Sequence, residues 1–212
     1  MAPLLRTPLF RIPAFSAGLA VQFAFAAGLQ GFFLVFAIWL QTGMESSPLA
    51  AGLTTVAFSV GSFLLAPVAV PLAIRFGRLV LAGGGALLAP GTIGVGLGAD
   101  GVGTGGDPWS IVPGLVVAGA GLSLLVIPLA NVVLAAAPVG AAGGASGLFS
   151  TAQQFGGAVG VAVIGTLFFA RLEDETFTDA FTSSLPIIAG LFMAAALLAL
   201  VLPRTAVEEE TF

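Results

Sequence analysis

The sequence predicts an all-α integral membrane protein with six transmembrane helices, and three observations carry that prediction. The 212 residues are 58% hydrophobic and only 8% charged, with a mean hydropathy of +1.13. A soluble domain is about 25% charged, and 6 basic plus 10 acidic side chains could not cover a soluble surface of this size. Six stretches reach the roughly 20 mostly apolar residues that a spanning helix needs, and none of them contains a charge. The third observation is the pattern. Backbone groups in lipid must be satisfied within the segment, and the sequence lacks the alternating strands of about ten residues that a barrel would show.

The elements follow in chain order. Residues 1–14 form an N-terminal segment with Arg6 and Arg11, broken by Pro3, Pro8 and Pro13. It is no signal peptide, because the apolar run that follows is too long and more spans come after it. The first span, 15–40, carries Gln22 and Gln30, about 80° apart on a helical wheel, with Phe25 and Phe33 nearby. Amides beside aromatics suit a mostly apolar pocket, and interhelical hydrogen bonding is an equal alternative. The second span, 50–74, can start at Ser46-Ser47-Pro48, with serine as cap and proline in the first turn. Pro67 and Pro71 should bend it. The third span is 79–98.

Gly101–Gly106 reads as a loop. It fits a GxGxxG pattern but follows no strand and opens no βαβ unit, so it is no nucleotide site. Asp107, Pro108 and Trp109 lead into the fourth span, 109–137. There Pro128 withdraws a donor from the Leu124 carbonyl, which predicts a kink. Asn131, one turn on, either bonds a neighbouring helix or points into a cavity. The fifth span, 146–170, places Ser146, Ser150, Gln153, Gly157 and Gly160 on one face. Gly156 and Gly160 add a GxxxG spacing that admits another helix closely. Gln153 and Gln154 are costly in hydrocarbon unless they pair or line a polar cavity. The sixth span, 186–202, stops at Pro203 and Arg204. The tail, 204–212, reads Glu208–Glu210 as a solvated acidic end.

Composition excludes much chemistry. There is no Cys and no His, and Lys is also missing. Disulfides, thiolate metal sites and histidine bases are therefore excluded, and no metal or cofactor is expected. Gly144-Ala-Ser146-Gly147 matches the GxSG of rhomboid-type intramembrane proteases, but its serine would lack a base, so no enzyme is expected. Six scattered arginines make no nucleic-acid surface. Six spans put both termini on one side. Arg6, Arg11, Arg75, Arg78 and Arg204 gather there, and only Arg171 falls opposite. By the positive-inside rule both termini are cytoplasmic, in a multi-pass inner (plasma) membrane protein.

Four stretches resemble the C-terminal six-helix half of a major facilitator superfamily transporter, above all the fourteen-span drug/proton antiporters of the EmrB/QacA type. They are Leu40-Gln41-Thr-Gly43 with Ser47-Pro48-Leu-Ala-Ala-Gly52-Leu; Arg75-Phe-Gly77-Arg78; Gly119-Ala-Gly121 with Pro128-Leu-Ala-Asn131; and Ser146-Gly147 with Gln153-Gln154-Phe-Gly156-Gly157-Ala-Val-Gly160. The likeness covers roughly residues 10–203, and Arg75, Gly77 and Arg78 match a degenerate copy of the family's cytoplasmic loop signature. Ile74 and Val70 stand where the full signature has Asp and Gly.

The resemblance implies one half of a major-facilitator-type fold and a part in proton-coupled export of hydrophobic or amphipathic organic compounds. Gln22, Gln30, Asn131, Gln153 and Gln154 would be neutral substrate contacts, and Gly156, Gly157 and Gly160 would permit helix sliding. The superfamily works with two halves, so the other half would come from a second transporter half or a homodimer partner, and no span read here holds a carboxylate to bind a proton. The alternatives are a truncated or remnant half without transport of its own, a non-transporting membrane interaction module, and, less so, a passive pore.

Overall fold

The protein is seen in a computed structural model that describes residues 7–102 and 108–203. A 3-10 turn, Thr7–Arg11, leads into α1, Pro13–Ile38, which runs on as a π-helical turn over Trp39–Gly43. Then come α2, Pro48–Phe76, and α3, Arg78–Val102. After the 3-10 turn Pro108–Ile111 follows α4, Val112–Ala135, and after the 3-10 turn Val139–Ala141 follows α5, Ala142–Leu172. The last helix is α6, Phe177–Ala199. Among the described residues, six helices are long and apolar enough to cross a membrane. The segments assigned to Arg6, to Gly103–Asp107 and to the tail from Arg204 lie outside the described residues.

Local chemistry sets the helix ends. The Ser47 hydroxyl accepts from the Ala50 N–H at the start of α2, with Pro48 in the first turn, where its missing donor costs nothing. Gly77 separates α2 from α3 at φ 57° and ψ −135°, a conformation closed to residues with a Cβ, while its N–H bonds the Ala73 carbonyl. The largest departure from the sequence reading is α6, which starts at Phe177 rather than at 186. Its first turns are polar, so a search for apolar runs passes over them. Thr176 caps them by accepting from the Asp179 N–H and donating to the Asp179 carboxylate at 2.7 Å. Ser184 turns its hydroxyl back to the Ala180 carbonyl, and Pro186 sits inside the helix. In the same way α5 starts at Ala142 rather than 146, and α3 runs to Val102 rather than 98.

The packing has an internal symmetry. α1 packs on α5 and α6, α4 packs on α2 and α3, and α3 packs on α6. Exchanging the first three helices for the last three reproduces this pattern. The core is aromatic where α1 meets α6. Phe25 lies 6.3 Å from Phe192, Phe36 lies 6.1 Å from Phe181, and Trp39 stacks on Phe181 at 4.7 Å. α2 and α5 stay outermost: Leu53, Phe63 and Leu64 on α2, and Val163 and Phe169 on α5, are exposed.

Candidate functional site

The α1–α5 seam is built on glycine. A Cβ on Gly156 would stand 2.5 Å from the Phe23 carbonyl oxygen, and one on Gly160 would overlap the Ala27 carbonyl. Gly157 lies under the Gln30 side chain, where a Cβ would be 2.9 Å from Cγ. The two backbones therefore touch directly, which dispersion rewards only when no side chain intervenes. Beside the seam the Phe23 and Phe155 rings meet at 5.9 Å.

The polar stripe of α5 divides at this seam. Gly156, Gly157 and Gly160 are buried against α1, whereas Ser146, Ser150 and Gln153, on the same helical face, are exposed. Thr151 and Gln154 are exposed beside them. The Thr151 hydroxyl returns to the Gly147 carbonyl at 2.8 Å. Beyond the seam the exposed residues of α5 turn apolar, with Val161, Val163, Leu167 and Phe169. The outer face of α5 is thus richer in hydroxyls and amides before the seam, where Phe155 is also exposed, and mostly hydrocarbon after it, where Thr166 is the exposed polar residue.

The remaining sequence-derived positions separate. Gln30 is exposed and joins Gly157, one turn from Gln153. Asn131 is exposed near the end of α4. Gln22 does not reach this open side: it is 0% exposed, and neither atom of its amide has a hydrogen-bond partner. Arg75 is exposed, with its guanidinium 5.3 Å from the Phe76 ring. Arg78 instead donates from Nη1 to the Leu202 carbonyl at 3.0 Å and ties the start of α3 to the end of α6. Sequence reasoning missed this link, for which the only signal was an arginine level with a helix C-terminus.

Gln30, Gln153, Gln154, Ser146 and Ser150 offer donors and acceptors but no charge, so they can orient a polar group without forming an ion pair.

Comparison with known proteins bears on the family of the chain. The profile of the Major Facilitator Superfamily matches residues 18–212. The probable actinorhodin transporter of Streptomyces coelicolor is 39% identical over 178 residues, covering 82% of this chain and 30% of that protein. The multidrug efflux pump LfrA of Mycolicibacterium smegmatis is 28% identical over 169 residues, 79% of this chain and 33% of its own. A tetracycline resistance determinant of Streptomyces rimosus is 29% identical over 195 residues, covering 86% of this chain and 54% of that protein. The chain thus spans 30% to 54% of the length of these relatives.

Proposed function

The chain belongs to the Major Facilitator Superfamily, and we propose that it supplies one six-helix unit of an EmrB/QacA-type, proton-coupled exporter of amphipathic organic compounds. The observation that carries this reading is the exposed set of neutral amides and hydroxyls around the α1–α5 seam. In a bilayer such groups need water, a ligand or a partner. The names of the relatives, a probable antibiotic transporter and a multidrug efflux pump, favour a ligand.

In this reading Gln30, Asn131, Gln153 and Gln154 contact substrate in a cavity between two units near the midplane, and the units rock alternately around it. Gly156, Gly157 and Gly160 carry no side chain to interlock, so α5 slides on α1 as they rock. Gln22 stays behind the cavity wall. Among the described helices carboxylates stand only in end turns, Asp100 on α3 and Asp179 on α6, so a proton-binding group near the midplane comes from a second unit of different sequence, on a longer chain or on another polypeptide. Both termini face the cytoplasm. A second reading follows from the share of its relatives that the chain spans: a half that inserts but transports nothing by itself.

The test is drug accumulation in efflux-deficient cells that express the chain alone and with a second unit, with membrane insertion measured in the same samples. Reduced accumulation that collapses with the proton gradient, and that is lost on joint Gln153→Ala and Gln154→Ala replacement, is the expected result. Wild-type export by that double variant at normal abundance overturns the amide assignment. Unchanged accumulation in both settings supports the inert half.

A further inference from the structure

Between the last turns of α1 and the first turns of α2 lies a cavity of about 190 Å³. Its origin is the way α1 ends. Trp39 turns towards α6, where its ring stacks on Phe181 with the planes 8° apart and its indole N–H donates to the Thr178 hydroxyl at 3.2 Å. The helix widens here into the π-turn Trp39–Gly43, a geometry that recurs at functional sites. On the other side α2 meets α1 through Phe33 and Phe58, edge to face at 5.2 Å. Gly52 leaves the next turn of α2 empty, since a Cβ there would meet nothing within 4 Å.

The lining combines aromatic and polar groups. Phe33, Phe36 and Leu40 supply the apolar wall, and Gln41 and Thr55 the polar one. The Thr55 hydroxyl donates to the Ala51 carbonyl at 2.9 Å, which leaves its oxygen as an acceptor. Gln41 is exposed and offers both a donor and an acceptor. No charged side chain lines the cavity.

We infer that this cavity is a binding site for a small, neutral, planar aromatic molecule bearing one hydrogen-bonding substituent. The pocket is open on the side of Gln41, Pro48 and Gly52, and its volume exceeds the roughly 150 Å³ of a closed apolar cavity that holds benzene, so it has room for a substituted ring. The Phe33 and Phe36 rings take its faces and edges, and its substituent meets the Gln41 amide and the Thr55 oxygen. Gln41 stands eleven residues along α1 from Gln30, about 16 Å at 1.5 Å per residue, so the site is separate from the α1–α5 seam and does not rest on the export reading.

The test uses the intrinsic fluorescence of the purified chain in detergent micelles. The sequence has two tryptophans, so Trp109→Phe leaves Trp39 as the only emitter. The Phe36 ring lines the cavity and lies 6.2 Å from the Trp39 ring, so a brominated ligand bound there quenches Trp39 at short range. The expected result with 4-bromophenol is saturable quenching, abolished by Gly52→Leu, which fills the cavity, and weakened roughly threefold to tenfold by Gln41→Leu. Quenching that rises linearly and is equal in Gly52→Leu means partitioning into the micelle only and overturns the site. Bromocyclohexane binding as tightly as 4-bromophenol overturns the aromatic assignment. If Gly52→Leu shifts the emission of Trp39 and so marks misfolding, Thr55→Leu fills the same space from the next turn and is read in the same way.

Discussion

Gln22 sets burial against chemistry. Its amide is sealed in the helix core, and both of its polar atoms lack a partner. A buried unsatisfied group carries a desolvation cost of roughly 1–3 kcal/mol. Gln22→Leu, of similar size, should therefore raise the thermal unfolding midpoint in detergent. A lower midpoint would show that the amide is hydrogen-bonded, through water or otherwise, in the folded protein. Gly160 behaves oppositely. Any side chain there collides with the Ala27 carbonyl, and backbone cannot yield as a flexible side chain can. Gly160→Leu should part α1 from α5 and cost at least the roughly 1–3 kcal/mol typical of overpacking, read as a fall in the same midpoint. Gly77→Ala should also destabilise, by about 1–3 kcal/mol, because its φ of 57° with ψ of −135° suits glycine alone.

At the scale of elements, α5 matters most. Its 31 residues span about 46 Å, more than the hydrocarbon thickness of about 30 Å, so the helix tilts or projects beyond it. Its outer face is mostly polar before the glycine seam and mostly apolar after it. The chain has no cysteine, which permits a direct check. Single replacements Ser150→Cys and Gln153→Cys should react with a water-soluble maleimide, whereas Val163→Cys and Phe169→Cys should stay unlabelled. Equal labelling of all four would mean that the two halves of α5 meet the same surroundings. The small, polar stripe of α5 was legible in the sequence because helical periodicity alone groups Ser146, Gln153 and Gly160. The division of that stripe was not legible, because it depends on where α1 lies close enough to cover it. The start of α6 was missed for a related reason. Thr176, Asp179, Thr182 and Ser183 are too polar for an apolar scan, yet the cap at Thr176 and the hydroxyl-to-carbonyl bonds satisfy them within a helix.

For the whole molecule, charge placement yields a topology that can be measured. Glu45 and Glu173 lie at the ends of the bundle opposite the α2–α3 turn, which carries Arg75 and Arg78. In intact cells an impermeant maleimide should label Glu45→Cys and Glu173→Cys but not Arg75→Cys; the reverse pattern would invert the orientation proposed from the arginines. Arg78 also works at this scale. By bonding the Leu202 carbonyl it joins two three-helix repeats at one end, as the Trp39–Thr178 and Trp39–Phe181 contacts join α1 and α6 at the other. The exposed apolar side chains of α2 and of the second half of α5 suit a lipid environment.

The sequence by itself determined the class of this protein: six apolar, charge-free stretches admit only helices across a bilayer, and the order of four weak motifs pointed to the superfamily. These properties are local, since hydrocarbon imposes the same rule on each span separately. Only the tertiary structure decided which amides are open and which are sealed, placing Gln30, Gln153 and Gln154 outside and Gln22 within. Gln22 and Gln30 are chemically identical residues on one helix. What separates them is the direction from which neighbouring helices approach α1, and that is a property of the packed bundle rather than of any segment in it.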